Sequence, residues 1–266
     1  MAGYVDIHVH LLPGIDDGPR DLDGTLALAR SAVAAGTATI AATPHLRSDF
    51  PDVHVDELAD RCQEVRDALE REGIGLRVVS GAEVSLTWAL DASADELRLA
   101  SYGQLGTDLL IETPSANVIG IDRLLYELRA GGYRITLAHP ERSHQLDRHG
   151  SLLPALVDQG VLLQVNAESL NGAAARSAPR RFARRLCAEG IAHVIASDGH
   201  RGERWRPVTE LPAAAGAASD LMGPARAEWM MSGAPAAILA GRELPAPPEI
   251  VPTRSRWGRL LPRLGG

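Results

Sequence analysis

Seven short runs rich in β-branched and other apolar residues recur along this 266-residue chain, and segments of helical period lie between them. Such alternation of strand and helix is typical of βαβ units around a parallel sheet. Seven strands in about 200 residues favour one closed or nearly closed barrel over two domains. The predicted fold is therefore α/β, a distorted TIM-like barrel of the (β/α)7 type. The runs are YVDIHVH from Tyr4, TATIAATPH from Thr37, RVVSGAEVS from Arg77, DLLIETP from Asp108, RITLAHPER from Arg134, VLLQVNAES from Val161 and HVIASDGH from His193.

Two segments show the helical period clearly, and a glycine follows each of them. One extends from Asp56 to Glu72 before Gly73, and the other extends from Ala178 to Glu189 before Gly190. Glycine is common just beyond a helix because it adopts the left-handed conformation that ends one. In barrels of parallel strands, the active site lies at the carboxyl ends of the strands. Polar side chains near the ends of the seven runs are therefore the candidate functional residues.

The composition and charge limit the classes of partner. All 27 basic residues are arginine and the formal net charge is -7, which disfavours indiscriminate binding to nucleic acid. Hydrophobic residues make up 45% of the chain, enough for a sizeable core, and aromatic residues make up only 4%. Most of that core is therefore Ala, Leu, Val and Ile. The sequence carries no signal of oligomeric state.

The cysteine content and the first residues bear on the location of the protein. Cys62 and Cys187 are the only cysteines, too few and too far apart to suggest a disulfide framework. The opening MAGYVDIH lacks a charged region followed by an apolar one, and no stretch approaches the roughly 18 apolar residues of a membrane helix. We therefore expect a cytoplasmic protein without a transmembrane segment.

A change in composition after Leu244 predicts a domain boundary, because the remaining residues are rich in Pro, Gly and Arg. We expect residues 1–243 to form the barrel and residues 244–266 to form a flexible tail, since proline-rich segments resist packing. The alternative is a docking segment for a partner or an anionic membrane, in which apolar residues lie beside arginines. The residues of that segment are Trp257, Leu260, Leu261, Arg256, Arg259 and Arg263.

Five of the nine histidines fall near the ends of the predicted strands, together with four carboxylates. A lone histidine in such a place is commonly structural, but nine donors in equivalent positions favour a metal centre. Imidazoles and carboxylates without thiolates suit Mn, Fe, Zn, Co or Mg. Nine donors exceed what one ion uses, so we expect two or three divalent ions, bridged by a carboxylate such as Glu83. The nine are His8, His10, Asp17, His45, Glu83, Glu112, His139, Asp198 and His200.

The carboxylates also have structural interpretations. Asp17 could serve only as a turn former in GIDDGP, and Asp198 could cap the segment after SDGH. Glu83 and Glu112 follow apolar runs, where an unpaired charge would be costly. A nearby cation removes that cost, which favours the metal interpretation for these two residues.

The motifs VDIHVHLLPGIDDGP, TPH, GAE, HPER and SDGH follow one another along the chain. As an ordered set, over about Val5 to Pro207, they resemble the polymerase and histidinol phosphatase (PHP) superfamily. DIHVHLLPGIDDGP and AHPER are most similar to the bacterial manganese-dependent protein tyrosine phosphatases of capsule and exopolysaccharide operons. The resemblance implies a phosphoesterase that hydrolyses phosphotyrosine on a protein, with Mn as its metal.

The resemblance also implies which residues share a metal ion, with some exchange between the sets. The implied sets are His8, His10, Glu83 and Asp198 for one ion, Glu83, Glu112 and His139 for a second, and Asp17, His45 and His200 for a third.

Family members place phosphate-binding arginines after the HPER histidine and after SDxH. Arg142 matches the first of these positions. For the second, SDGHRGERWRP offers Arg201, Arg204 and Arg206. We choose Arg206, because in the family this arginine usually comes just before a proline and Pro207 follows here.

The expected mechanism is in-line attack on phosphorus by metal-activated hydroxide, with Arg142 stabilising charge on the equatorial oxygens. A thiolate mechanism would need an arginine after five intervening residues, but Ala68 and His193 stand at those positions after Cys62 and Cys187. The operon context of the family implies, as substrate, the tyrosine-rich tail of a membrane-associated kinase of polysaccharide assembly. Two alternatives remain open: a small-molecule phosphoesterase of the histidinol phosphatase type, and a metal-binding scaffold without turnover.

Overall fold

Each of the seven predicted runs contains one parallel strand or two short ones. The computed structural model describes residues 3–114, 120–171, 177–201 and 206–253. The strands within these ranges are β1 (Tyr4–Val9), β2 (Thr37–Ala42), β3 (His45–Leu46), β4 (Arg77–Ser80), β5 (Glu83–Val84), β6 (Asp108–Glu112), β7 (Arg134–Ala138), β8 (Leu162–Asn166) and β9 (Val194–Ala196).

The strands form two parallel sheets, one in the order β1-β2-β4 and the other in the order β3-β5-β6-β7-β8-β9. In addition, Val9 pairs in parallel with Gly199, and the His10 amide donates to the Gly199 carbonyl at 2.8 Å. The end of the first strand therefore lies beside the segment that follows the last one. The parallel α/β architecture is confirmed, whereas closure into one seven-stranded barrel stays a prediction.

Two of the predicted strands are interrupted, and each break lies within two residues of a candidate ligand. Pro44 separates β2 from β3, and a proline has no amide hydrogen for a strand ladder. Gly81 separates β4 from β5, where an added Cβ atom would lie 2.8 Å from Cδ1 of Tyr102. After the breaks, His45 and Glu83 open β3 and β5 and are paired in register. The breaks thus place these two side chains next to each other.

Helices follow most of the strands. The predicted helix from Asp56 begins as a 3₁₀ turn over Val55–Glu57 and continues as α2, which starts at Leu58. The other predicted helix is α9, which follows Ser177, whose hydroxyl accepts from the Arg180 amide. No helix in the described ranges is both long and apolar enough to cross a membrane. The helices are α1 (Leu22–Ala34), α2 (Leu58–Arg71), α3 (Leu86–Asp91), α4 (Ala94–Ala100), α5 (Ile121–Ala130), α6 (His144–Arg148), α7 (Leu152–Asp158), α8 (Ala167–Asn171), α9 (Ala178–Ala188), α10 (Leu211–Met222), α11 (Pro224–Glu228) and α12 (Ala234–Leu239).

The buried apolar residues form two clusters on opposite faces of the strands. In β6, Leu110 belongs to the smaller cluster, whereas Leu109 and Ile111 belong to the larger one. The smaller cluster takes residues from β1, β2, β4, β6, β7, β8 and β9, and Ile238 and Leu239 of α12 join it. The larger cluster joins the other strand faces to the helices. Because both faces of the strands are buried, the sequences of the strands are nearly continuous runs of apolar residues.

The first ten residues of the predicted tail contact the carboxyl-terminal helices. Trp229 Nε1 donates to the Pro245 carbonyl at 2.8 Å, the Val251 amide donates to the Met222 carbonyl at 2.9 Å, and Ile250 packs against the larger cluster. Residues 254–266, which include the alternative docking segment, lie outside the described ranges. The domain boundary and the flexibility of the tail stay predictions.

Candidate metal centre

All nine predicted donors lie together at the carboxyl ends of the strands. Seven of them are buried, and Asp17 and Glu112 are partly buried. Parallel strands bring their carboxyl ends to one edge, so residues far apart in sequence converge there. They are His8 in β1, His10 just after it, Asp17 in the loop before α1, His45 in β3, Glu83 in β5, Glu112 in β6, His139 after β7, and Asp198 and His200 after β9.

Glu83 lies at the centre of the cluster. Its Oε2 atom is 3.3 Å from His8 Nε2, 3.4 Å from His10 Nε2 and 2.9 Å from His45 Nδ1. The Oε1 atom of Glu83 is 2.8 Å from His139 Nε2. Burial alone would raise the pKa of Glu83, but the surrounding imidazoles, His8 foremost, hold it well below its usual range. Glu83 is therefore an ionised carboxylate with both oxygens directed at ring nitrogens.

Asp198 occupies the other side of the same imidazoles. Its Oδ1 atom lies 3.4 Å from His8 Nε2 and 3.6 Å from His10 Nε2. Burial raises the pKa of Asp198, and His8 and its neighbours more than offset this, so the pKa lies well below the usual value. Two carboxylates and two imidazoles thus point at one small volume.

Asp17 brings a further carboxylate to the cluster. Its Oδ1 atom lies 3.2 Å from His200 Nε2, and 3.7 Å from both His10 Nδ1 and His45 Nε2. Partial burial raises the pKa of Asp17, but His200 and the other two imidazoles lower it below its usual range. This geometry favours a ligand over a residue that only shapes the turn.

Glu112 is held at the edge of the cluster by an arginine that the sequence patterns did not indicate. Arg47 Nη1 donates to Glu112 Oε1 at 2.6 Å, while Arg47 also forms two hydrogen bonds to Asp49. Burial and the charge of Glu83 raise the pKa of Glu112. The Phe50 ring lies under the Arg47 guanidinium, 5.2 Å from its Cζ atom. Arg47 therefore links the loop after β3 to the metal-ligand candidates.

Within the described ranges, four overlapping groups each offer ligand atoms that lie within 4.8 Å of one another. The groups keep the implied set of Asp17, His45 and His200 together and add His10 to it. They place Glu112 with His45 and Glu83, so ligands are shared rather than divided cleanly. The groups are His10, Asp17, His45 and His200; His8, His10 and Asp198; His8, Glu83 and His139; and His45, Glu83 and Glu112.

The donor set fits divalent metal ions. Several buried nitrogens and oxygens of the cluster have no hydrogen-bond partner among the described residues. Such atoms cost free energy when no ligand binds them. Divalent cations bind imidazole nitrogens and carboxylate oxygens and would satisfy them together. The unpartnered atoms include His8 Nε2, His10 Nε2, Asp17 Oδ1, His45 Nδ1, Glu83 Oε2 and Asp198 Oδ1.

The first aspartate of GIDDGP, which sequence reasoning missed, orients one imidazole. Asp16 Oδ2 lies 2.7 Å from His10 Nδ1 and also accepts from the His45 amide at 3.2 Å. A carboxylate can only accept, so His10 Nδ1 carries the proton and Nε2 offers its lone pair to the cluster. His200 Nδ1 faces the Asp198 backbone carbonyl at 2.7 Å, with the same consequence. The only sequence signal was the paired aspartates, which did not distinguish their roles.

Two amides of β8 also reach the cluster. Gln164 Oε1 lies 3.0 Å from His8 Nδ1, and Asn166 Nδ2 donates to Asp198 Oδ2 at 2.7 Å. Asn166 is one of the polar residues near the ends of the predicted strands, but the sequence analysis assigned a role to neither amide. Their spacing was the available signal, because residues two apart share one face of a strand and both interrupt an otherwise apolar run.

The two predicted phosphate-binding arginines both contact Asp198. Arg142 Nη1 lies 3.3 Å from Asp198 Oδ2, and its side chain is 42% exposed. Arg206 Nη1 donates to the same oxygen, and its side chain is only 9% exposed. Of the other two candidates, Arg201 is exposed and Arg204 lies outside the described ranges. Arg142 is therefore the more accessible of the pair at the mouth of the cluster.

Three non-glycine residues at the site have positive φ angles: His139 at 38°, Asp198 at 54° and Arg206 at 46°. This left-handed region is unfavourable for residues with a side chain, at a cost of the order of 1 kcal/mol or more each. Such conformations persist only where the surroundings fix them. His139 and Asp198 turn the backbone within two residues of the ends of β7 and β9, where the ligand candidates lie.

The cysteines lie elsewhere. Cys62 in α2 and Cys187 in α9 are buried and unpaired. Burial raises the pKa of Cys62 to about 11 and that of Cys187 to about 12. A thiolate nucleophile needs a lowered pKa and access to substrate, and neither cysteine has them.

Several known proteins are similar to this chain over most of its length. Tyrosine-protein phosphatase YwqE of Bacillus subtilis is 32% identical over 74% of this chain and 77% of its own length, and putative tyrosine-protein phosphatase CapC of Staphylococcus aureus is 30% identical over 74% and 76%. Crystal structures of YwqE and of Streptococcus pneumoniae CpsB describe them as unique metal-dependent tyrosine phosphatases. A chain from that study matches 93% of this chain and 99% of its own length, with a TM-score of 0.80 and 29% identity. Residues 4–240 match the capsular polysaccharide synthesis family CpsB/CapC. The resemblance read from the motifs is thus confirmed, and the chain belongs to the CpsB/CapC family.

Proposed function

We propose that this protein is a metal-dependent protein tyrosine phosphatase of polysaccharide assembly. The observation that carries the proposal is the convergence of unpartnered buried nitrogens and oxygens on one cluster. Membership of a family whose curated relatives are named tyrosine-protein phosphatases supports it. The proposal includes a closed seven-stranded barrel within residues 1–243, for which the pairing of Val9 with Gly199 is the support.

The nine residues of the cluster are proposed to hold two or three divalent ions, with Mn²⁺ as the preferred metal. Glu83 is the proposed bridging ligand, because its two oxygens together face four imidazoles. The absence of thiolates from the cluster supports a borderline or hard cation. Fe, Zn, Co and Mg have compatible ligand preferences.

Divalent ions bound at such a site activate water as a nucleophile and offset charge on the phosphoryl group. The chain's own contribution is to bind and orient that group. Arg142 is proposed to donate to the equatorial oxygens through its half-exposed guanidinium, and Arg206 to do so from the buried side of Asp198. The phenolate of tyrosine, with a pKa near 10, is a comparatively easy leaving group.

The proposed substrate is phosphotyrosine on a protein, and specifically the tyrosine-rich tail of a membrane-associated kinase of polysaccharide assembly. The family's description as a capsular polysaccharide synthesis family supports this context. A cytoplasmic location belongs to the same proposal, and the two buried, unpaired cysteines are compatible with it.

Hydrolysis of a phosphotyrosyl peptide, with and without metal, tests the proposal. Exhaustive chelation should abolish turnover and added Mn²⁺ should restore it. The double variant Cys62→Ser, Cys187→Ser keeps all nine proposed ligands and should retain close to the parental rate. Activity that survives chelation but disappears in the double variant would contradict the metal mechanism. Faster hydrolysis of histidinol phosphate than of the peptide would instead assign a small-molecule substrate.

A further inference from the structure

We propose that Asn166 and Gln164 of β8 form an amide relay from Asp198 to His8 that fixes the tautomer of His8. In this tautomer Nδ1 carries the proton and Nε2 offers its lone pair to the metal centre. Both amides are then positioning residues that act through His8. The inference rests on the proposed metal site and adds to it two residues that coordinate nothing themselves.

The relay consists of three consecutive hydrogen bonds between buried side chains. Asn166 Nδ2 donates to Asp198 Oδ2 at 2.7 Å, and Gln164 Nε2 donates to Asn166 Oδ1 at 2.8 Å. Gln164 Oε1 lies 3.0 Å from His8 Nδ1. Asn166 is 2% exposed and the other three residues are fully buried. Water therefore does not compete for these bonds, and each group has its partner within the chain.

The charge of Asp198 sets the direction of every bond in the relay. An ionised carboxylate can only accept, so the NH₂ group of Asn166 must face it and the carbonyl of Asn166 must face Gln164. That carbonyl can only accept, so Gln164 turns its own NH₂ group toward Asn166. The carbonyl of Gln164 is thereby left for His8, and an imidazole nitrogen that faces a carbonyl must donate. The protonated nitrogen of His8 is therefore Nδ1.

Two further contacts keep the start of the relay in place. The backbone amide of Asn166 donates to Glu141 Oε1 at 2.9 Å, which fixes the end of β8 against the turn after β7. Arg142 and Arg206 both direct guanidinium nitrogens at Asp198 Oδ2, the oxygen that Asn166 also contacts. Three donors on one oxygen favour its charged form and hold the relay in the stated direction.

His8 and His10 reach the same tautomer by different means. His10 Nδ1 faces the carboxylate of Asp16, which accepts in any orientation. A carboxylate at position 164 would add a third negative charge in the buried space that Glu83 and Asp198 already occupy. A neutral amide avoids that charge, but an amide can present either end, so it needs the relay to fix which end faces His8.

Metal affinity is the first test, measured by competition titration of the folded protein with a chelating dye and Mn²⁺. Gln164→Met removes the acceptor at similar volume, and Asn166→Leu removes the middle of the relay. Each variant should weaken Mn²⁺ binding about 10- to 100-fold, the usual effect of removing the hydrogen-bond partner of a metal-ligating histidine. Thr136→Val is the matched control, since the Thr136 hydroxyl is buried on β7 and has no hydrogen-bond partner among the described residues. Equal affinity in the wild type and the two relay variants would overturn the relay.

The second test measures the tautomer by NMR, on protein labelled with ¹⁵N in its histidines and loaded with diamagnetic Zn²⁺. The His8 signals are identified as those that disappear in His8→Gln. We expect a protected proton on His8 Nδ1 in the wild type and in Gln164→Glu, which keeps an acceptor, and its loss in Gln164→Met. The same proton should be lost or broadened in Asn166→Leu, although residue 166 does not contact His8. A wild-type His8 without a proton on Nδ1, or an unchanged signal in Asn166→Leu, would overturn the relay. A wild-type protein that binds no divalent ion would overturn the proposed function instead.

Discussion

Charged groups have different kinds of partner at the two ends of the strands. At the carboxyl pole, defined by the nine ligand candidates, carboxylates such as Glu83 face imidazole nitrogens. Several of these nitrogens, such as His8 Nε2, form no hydrogen bond with any described residue. At the amino pole, defined by the first residues of the strands and the segment 240–253, cations face oxygens. Arg134 Nε donates to Asp108 Oδ1 at 2.6 Å, and its Nη1 donates to the Arg242 carbonyl at 2.8 Å. The first arrangement needs a cation from solution, whereas in the second the chain supplies the cations itself. Three polar atoms of the amino pole still have no hydrogen-bond partner among the described residues: Asp108 Oδ2, Arg134 Nη2 and Arg226 Nε.

The carboxyl-terminal segment completes the amino pole. Arg226 donates to the Gly190 carbonyl at 3.0 Å and to the Pro248 carbonyl at 3.3 Å, and its Cζ atom lies 4.6 Å from the centre of the Trp229 ring. Trp229 in turn donates to the Pro245 carbonyl. The difference between the poles predicts a division of effects. Changes at the carboxyl pole should alter metal binding and turnover, and changes at the amino pole should alter the free energy of unfolding.

The largest effect is expected from Arg142 at the carboxyl pole. Arg142→Ala should lower kcat/KM for a phosphotyrosyl peptide by about 10²- to 10³-fold, because it removes the proposed donor to the charge that develops on the phosphoryl oxygens. Metal content and the free energy of unfolding should stay close to the parental values. Arg148→Ala, which removes an exposed arginine of α6, is the control and should leave kcat/KM, metal content and the free energy of unfolding unchanged. Near-normal turnover in Arg142→Ala would refute the assignment of phosphate binding to this residue.

Truncation after Glu243 tests the amino pole. It removes the carbonyls of Pro245 and Pro248, the Val251 amide and the Thr253 hydroxyl. The free energy of unfolding should therefore fall by roughly 2 to 5 kcal/mol, from four lost hydrogen bonds and some lost apolar contact. The folded protein should still hydrolyse p-nitrophenyl phosphate at the parental rate. Truncation after Thr253 keeps every contact described above and serves as the control. A large loss of turnover in the folded short protein would mean that the segment contributes to the active site, and the division between the poles would fail.

The sequence predicted the parallel architecture because alternating strand and helix periods are a local property. The same periods could not predict the breaks in two strands. Pro44 explains the first break from the sequence itself. At the second break, the close approach of the Tyr102 ring leaves no room for a Cβ atom at Gly81, and this contact joins residues distant in sequence. The α-helix α2 begins two residues later than predicted, because Val55–Glu57 form a 3₁₀ turn. A helical period in the sequence does not distinguish a first 3₁₀ turn from the α-helix that follows it.

The ligand candidates were predictable because the carboxyl ends of parallel strands lie at one edge of a sheet, so residues at the ends of successive strands lie close together in space. The residues that orient them were not predictable in this way. Asp16 lies in a loop, and no period tells which of two adjacent aspartates turns toward His10. Arg47 reaches Glu112 from a loop after another strand. Gln164 shares a strand face with Asn166, which indicated proximity but not the direction of a hydrogen bond.

His193, just before β9, offers a smaller and pH-dependent test of the amino pole. Burial, together with the nearby charge of Arg226, lowers the pKa of His193 to about 4. The Leu163 amide donates to His193 Nδ1 at 3.2 Å, and only a neutral imidazole can accept there. The surroundings at the amino pole therefore keep His193 in its neutral form. Its ring centre lies 6.4 Å from that of Trp229.

The sign of the effect follows from the proton balance. Between the usual value of 6.5 and the folded value of about 4, the unfolded chain binds a proton that the folded protein excludes, so stability that is present above pH 6.5 is lost as the pH falls. The loss between pH 7.5 and pH 5 should be about 1 to 2 kcal/mol from this residue. His193→Asn keeps an acceptor for the Leu163 amide but does not titrate, so its unfolding free energy, measured in urea at saturating metal, should fall less over that interval. The exposed residue His149, changed to Asn, is the control and should keep the wild-type slope. Equal slopes in all three proteins would show that the amino pole accommodates the charged imidazole, and that the contrast with the carboxyl pole does not extend to this histidine.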